Sequence, residues 1–126
     1  MVDVTTPVEY DFTWVRGTNV PAVFAFARNG VAIPFDDARM SVTDMQGDLI
    51  FRLSIESGGA VKTNPSIGEV TFTPTTAQTR SLKESKPGNP GKNRYEIELR
   101  DGTNEAVYVW GVVAGILGGN DDEVVS

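Results

Sequence analysis

The sequence predicts an all-β fold, a single antiparallel β-sandwich of seven or eight short strands with one short helical turn. Three observations carry the expectation. Apolar residues recur with a period of two along most of the chain, turn-forming residues recur at intervals of about 8–12, and no segment sustains a helical period for long. A barrel has the same spacing, but several strands here show only one apolar face, which favours a sandwich.

In chain order, Tyr10, Phe12 and Trp14 alternate with Asp11, Thr13 and Val15 and predict a strand with an aromatic face. Arg16-Gly17-Thr18-Asn19 turns the chain. Val20–Arg28 is apolar on both faces and belongs at the centre of a sheet. Asn29-Gly30 tolerates the positive φ angles of a tight hairpin, and Pro34 demotes any strand around it to an edge or a connection. Ala38–Asp44 is a strand through Met40 and Val42. Gln46-Gly47-Asp48 leads into the alternation Leu49, Phe51, Leu53, Ile55, which Ser57-Gly58-Gly59 ends. Ile67–Thr73 is another strand, with Val70 and Phe72 inward. Thr75–Leu82 forms one or two helical turns capped by Thr75 or Thr76. Lys83–Asn93, with two prolines and two glycines, reads as an exposed loop. Arg94–Arg100 turns Tyr95, Ile97 and Leu99 inward against Glu96 and Glu98. Asp101-Gly102 then leads to a last strand over Ala106–Leu117. The domain spans 9–117, between a polar arm at 1–8 and an acidic tail at 118–126.

Composition narrows the chemistry. At 126 residues the chain fits one domain that needs no disulfide or metal staple. There is no cysteine and no histidine, so the thiol nucleophiles, the common zinc ligand sets and the commonest general base are missing. The expectation is a non-enzymatic protein without a cofactor. A net charge of −6 and eleven scattered basic residues argue against a nucleic-acid partner. Met1–Pro7 is polar and carries Asp3, unlike a signal peptide. Val107–Leu117, the longest apolar stretch, is far short of the roughly 20 residues of a membrane helix, so no membrane role is expected.

Several groups are candidate sites. Asp36-Asp37 and Asp121-Asp122-Glu123 could in principle hold calcium or act as an acid–base pair, but neither has the spacing of an ion-wrapping loop, and both read as solvated. Trp14, Tyr95, Tyr108 and Trp110 are core, a protein interface or a sugar-stacking shelf. Tyr108 and Trp110 are expected on the face opposite Val107 and Val109. The candidate interface residues are Tyr108, Trp110, Lys83, Lys86, Asp121, Asp122 and Glu123. The arms are too polar for a core and are candidates for ordering against a neighbour.

The run of motifs resembles a known group. An aromatic strand closed by Arg-Gly-Thr (Tyr10–Thr18) precedes the strand of Phe24 and Phe26, then Gly-x-x-Ile-Pro at Gly30–Pro34. A Pro-Thr-x-x-x-Thr-x-x-Leu run lies within Gly68–Leu82, and Tyr95–Leu99, Asp101-Gly102 and a strand carrying Gly111 close the pattern. Over roughly residues 9–116 this resembles the small immunoglobulin-like β-sandwich domains of tailed-phage structural proteins, such as baseplate upper protein N-terminal domains and short head or tail accessory proteins. Those domains usually carry Gly-Asp where this chain has Gly17-Thr18. The resemblance implies a bacteriophage virion protein, attached in many copies to the head as decoration or to the tail or baseplate. Its expected partners are major capsid or tail subunits or further copies of itself, and no catalytic residues carry over. From another class, a carbohydrate-binding or adhesion module is the alternative.

Overall fold

The computed structural model describes residues 2–4, 8–83 and 92–116. Eleven strand segments, one 3-10 turn and one short helix come in the order β1 (Val2–Val4), β2 (Val8–Glu9), β3 (Phe12–Val15), β4 (Ala22–Arg28), β5 (Val31–Ala32), β6 (Asp37–Thr43), β7 (Leu49–Ser54), β8 (Ala60–Asn64), the 3-10 turn Pro65–Ile67, β9 (Glu69–Phe72), α1 (Thr76–Arg80), β10 (Lys92–Asp101) and β11 (Asn104–Ile116). The strands form two sheets. The smaller runs β1-β4-β9-β8 with β5 on β4; the larger runs β2-β11-β10-β6-β7 with β3 also on β11.

Period-two alternation decides which side chains meet between the sheets. Phe24, Phe26, Val70 and Phe72 from the smaller sheet join Met40, Val42, Phe51, Leu53, Tyr95, Ile97, Val109 and Val113 from the larger in one buried cluster. Burying a side chain of this size contributes about 1.5–3 kcal/mol. Aromatic edges cross the layer: Phe24 approaches Tyr95 at 6.5 Å and Phe26 meets Tyr108 edge-on at 6.4 Å. The layers therefore share one core, and the fold is all-β and sandwich-like.

Two expectations need correction. The three N-terminal segments pair in parallel, β1 with β4 and both β2 and β3 with β11, so the fold is not antiparallel throughout. The expected N-terminal arm at 1–8 is also partly within the sheets, because Val2–Val4 and Val8 belong to β1 and β2. The strand count exceeds the expected one because short segments such as β5 and β8 show no clear alternation. In β8 only Ala60 is buried.

The connections obey local chemistry. Asn29 and Gly30 take φ of 52° and 75° in the β4–β5 hairpin, the conformation expected of this pair. Thr75 caps α1: its hydroxyl accepts from Gln78 N–H while the Gln78 side chain accepts from Thr75 N–H. Thr79 fastens the helix to the turn after β3, accepting from Gly17 N–H at 3.0 Å and donating to Thr18 O at 2.8 Å. The buried Asn93 side chain then anchors the segment beyond the helix. It accepts from Lys83 N–H at 3.1 Å and donates to Lys83 O at 3.4 Å and Val113 O at 3.1 Å.

Candidate interaction surface on the larger sheet

The outer face of the larger sheet carries the more exposed of the two tryptophans. Trp110 is 42% exposed, whereas Trp14 is 3% exposed with its indole N–H donating to Val20 O. In the ladder Trp110 pairs with Glu96 on β10 and with Glu9 on β2. Directly paired residues lie on one face, so the two carboxylates stand on either side of the indole. The row continues through Ser41, paired with Glu96, to Arg52, paired with Ser41. Among the described residues no hydrogen bond or ion pair engages the side chains of Glu9, Glu96 or Trp110. They border a groove of about 790 Å³ that also takes in Met45, Arg94, Val107 and Val112.

An interruption between β2 and β3 holds this row in register. Tyr10 N–H still donates to Trp110 O at 2.9 Å, but Val112 N–H turns to the Asp11 carboxylate at 2.9 Å. The Tyr10 carbonyl accepts the Tyr95 hydroxyl from within the core. Gly111 makes room for the crossing, since a Cβ there would stand 2.3 Å from the Tyr10 carbonyl oxygen. Burial, with the nearby Asp11 carboxylate as a smaller cause, pushes the Tyr95 phenol well above its ordinary range. Tyr95 therefore remains a hydrogen-bond donor at any ordinary pH.

Tyr108 and Trp110 do not share a face. A bulge shifts the β10–β11 register so that Ile97 pairs with Val109 but Glu98 with Val107. Tyr108, the extra residue, goes to the core against Phe26, while Val107 borders the groove with Trp110. Simple alternation contains no sign of that extra residue. Trp14 and Tyr95 are core. Lys83 is exposed, with its backbone beside Gly115 further along β11. Lys86, Asp121, Asp122 and Glu123 lie outside the described residues. Of the described candidate interface residues, Tyr108, Trp110 and Lys83, only Trp110 borders the groove. Glu96 was legible as an outward residue; Glu9 was not, because its place depends on pairing with a strand about a hundred residues away.

The two carboxylates of Asp36-Asp37 are each engaged by hydrogen bonds within the chain. Asp36 accepts from Gly102 N–H and from Arg100, which hold its carboxyl below the usual range. Glu56 is lowered in the same way by Arg100. Asp37, expected in polar surroundings, is instead 3% exposed, and its carboxylate accepts from Glu56 N–H. Among the described residues no group of three or more potential metal ligands converges. Ser54 and Ser57 bond to each other within the turn after β7. No helix among the described residues is long and apolar enough to cross a membrane. No protein-family model and no curated protein matches this sequence significantly.

Proposed function

We propose that this chain is a non-enzymatic binding module that docks on a protein partner through the Trp110 face of its larger sheet. The observation that carries the proposal is the row Glu9–Trp110–Glu96, an exposed indole between two carboxylates without partners among the described residues, beside a groove. Covering the exposed part of a tryptophan removes on the order of 100 Å² from water, worth about 2.5 kcal/mol, enough for an interface anchor. The flanking carboxylates suit a partner that sets a basic side chain on the indole face, a cation–π contact reinforced on both sides. The fold is read as immunoglobulin-like. The orders β1-β4-β9-β8 and β2-β11-β10-β6-β7 support this, since they match the two-sheet strand arrangement of that fold with parallel pairing of the opening strand as a variation.

The location is proposed to be a bacteriophage virion, in many copies on head, tail or baseplate. This rests on the resemblance of residues 9–116, and a small sandwich with a sticky outer face suits a lattice. A second reading, glycan binding, is favoured by the exposed indole with polar neighbours.

The test uses light scattering and tryptophan emission of the full chain, alone over a concentration series and with an oligosaccharide panel. Mass above the monomer with a blue-shifted emission, both lost in Trp110→Ala, is the result expected for a protein interface between copies. A saccharide-dependent shift instead selects the glycan reading. Wild-type association in Trp110→Ala refutes the assigned face. For the virion, mass spectrometry of particles purified from cells producing the chain must find it there in many copies; particles without it overturn the location.

A further inference from the structure

Two hairpins of this fold carry, at or beside their turns, the residue pairs most prone to spontaneous backbone rearrangement, and the glycine nitrogens of the two pairs are held differently. Asn29-Gly30 joins β4 to β5, whereas Asp101 closes β10 as the partner of Asn104 and Gly102-Thr103 makes the turn to β11. In each pair the glycine nitrogen is the nucleophile. At the second turn that nitrogen is occupied: Gly102 N–H donates to the Asp36 carboxylate at 2.9 Å. A negative charge bonded to the N–H opposes its deprotonation, and the bond directs the nitrogen away from the side chain it would attack.

At the first turn no hydrogen bond among the described residues occupies it. Asn29 and Gly30 are exposed, and among the described residues neither the Gly30 N–H nor the Asn29 amide has a hydrogen-bond partner. No atom would lie within 4 Å of a Cβ at Gly30, so the space around the turn is open. Ring closure requires the turn to leave its positive-φ geometry. Among the described residues, the pairs Ala27↔Ala32 and Arg28↔Val31, the bond from Ile33 N–H to Phe26 O and the packing of Ile33 against the core close this edge hairpin. So short a segment, with Asn29, Gly30 and Val31 exposed, opens locally at less cost than the central strands.

We propose that Asn29 is a self-modification site, at which the chain converts to aspartate and isoaspartate without an enzyme. The Gly30 nitrogen loses its proton and attacks Asn29 Cγ. A C–N bond forms, the bond from Cγ to the amide nitrogen breaks, and ammonia leaves with a proton. The resulting succinimide takes up one water at either carbonyl, giving aspartate or isoaspartate and one additional negative charge. The isoaspartate product carries an extra backbone methylene, which the two-residue turn cannot hold, so β5 is released from β4. The other described asparagines are blocked or slower. Asn64 precedes Pro65, which has no N–H; Asn93 is buried with its amide fully engaged; Asn19 and Asn104 precede the bulkier Val20 and Glu105.

The full chain is incubated in mildly alkaline buffer, and peptide mapping with isoaspartate-specific labelling tracks each site over time. Asn29 is expected to convert an order of magnitude faster than Asn19 or Asn104, with Asp101 almost unchanged. Conversion of Asn29 no faster than at those two sites overturns the proposal. Asp36→Ala tests the contrast separately. Isoaspartate at residue 101 must then rise, and an unchanged rate there refutes the role given to the hydrogen-bonded glycine nitrogen.

Discussion

Asn93 offers the sharpest test of how the chain between α1 and β10 is tied to the larger sheet. Its side chain is fully buried and makes three hydrogen bonds, one accepted and two donated. Each contributes about 1 kcal/mol net, so Asn93→Ala should cost about 3 kcal/mol, and more where a stranded carbonyl finds no water. Asn93→Asp keeps the shape and separates the terms. The carboxylate still accepts from Lys83 N–H, but it faces the Lys83 and Val113 carbonyls without a proton to donate. Burial and those two oxygens raise its folded pKa above the unfolded value of about 3.9. Below the unfolded pKa both states are protonated and the penalty is small. Between the two pKa values the variant loses about 1.4 kcal/mol per pH unit relative to wild type, and above the folded value the loss is constant. Urea unfolding of variant and wild type in parallel across pH, read by the buried Trp14, gives the difference directly. A cost below about 1 kcal/mol for Asn93→Ala, or an Asn93→Asp difference that is flat from about pH 4 to 7, would refute the clamp.

Asp36, held by Gly102 N–H and by Arg100, and Glu56, held by Arg100, have depressed carboxyl pKa values, so their contribution is present above the unfolded values and lost as pH falls through the folded ones. In Arg100→Gln an NMR titration should return Glu56 to the ordinary range and move Asp36 part of the way, its bond from Gly102 N–H remaining; unmoved carboxyls would exclude Arg100 as the cause. Gly111→Ala must push the Tyr10 carbonyl aside, at a cost of about 1–3 kcal/mol, with Trp110 emission altered as Glu9 leaves its register; a wild-type urea midpoint would contradict the close crossing. Acrylamide should quench Trp110 strongly and Trp14 weakly, so Trp110→Phe leaves a blue-shifted, protected emission, and equal quenching of the two would contradict the assigned exposures.

Much of the fold was legible because burial on one face imposes strict alternation. Phe51 and Leu53, Val70 and Phe72, and Tyr95 with Ile97 and Leu99 all face the core as their spacing predicted. Thr75 caps its helix and Asn29-Gly30 turns its hairpin because those residues carry their geometry locally. What escaped was non-local. β8 keeps Val61, Lys62 and Thr63 in water, so no pattern marks it, and the bulge at Tyr108 adds a residue that alternation cannot count. The candidate site fell between the two cases. Trp110 was visible as an aromatic of ambiguous face, whereas its flank by Glu9 exists only through a parallel pairing of distant segments.

That same pairing dictates an order of events when the chain is made. Phe12 through Val15 find their partners only at Val113 through Ile116. During synthesis the opening aromatic strand must wait until almost everything after it has emerged, with Trp14 still lacking the strand that anchors it. Closing a loop of about a hundred residues carries an entropic cost of about 4 kcal/mol by the logarithmic law, before any contact offsets it. The hairpins β6–β7 and β10–β11, close in sequence, can form earlier and provide the template. The opening strand is thus the last to join the larger sheet, and a nascent chain halted short of residue 113 presents Phe12 and Trp14 to whatever else is folding nearby.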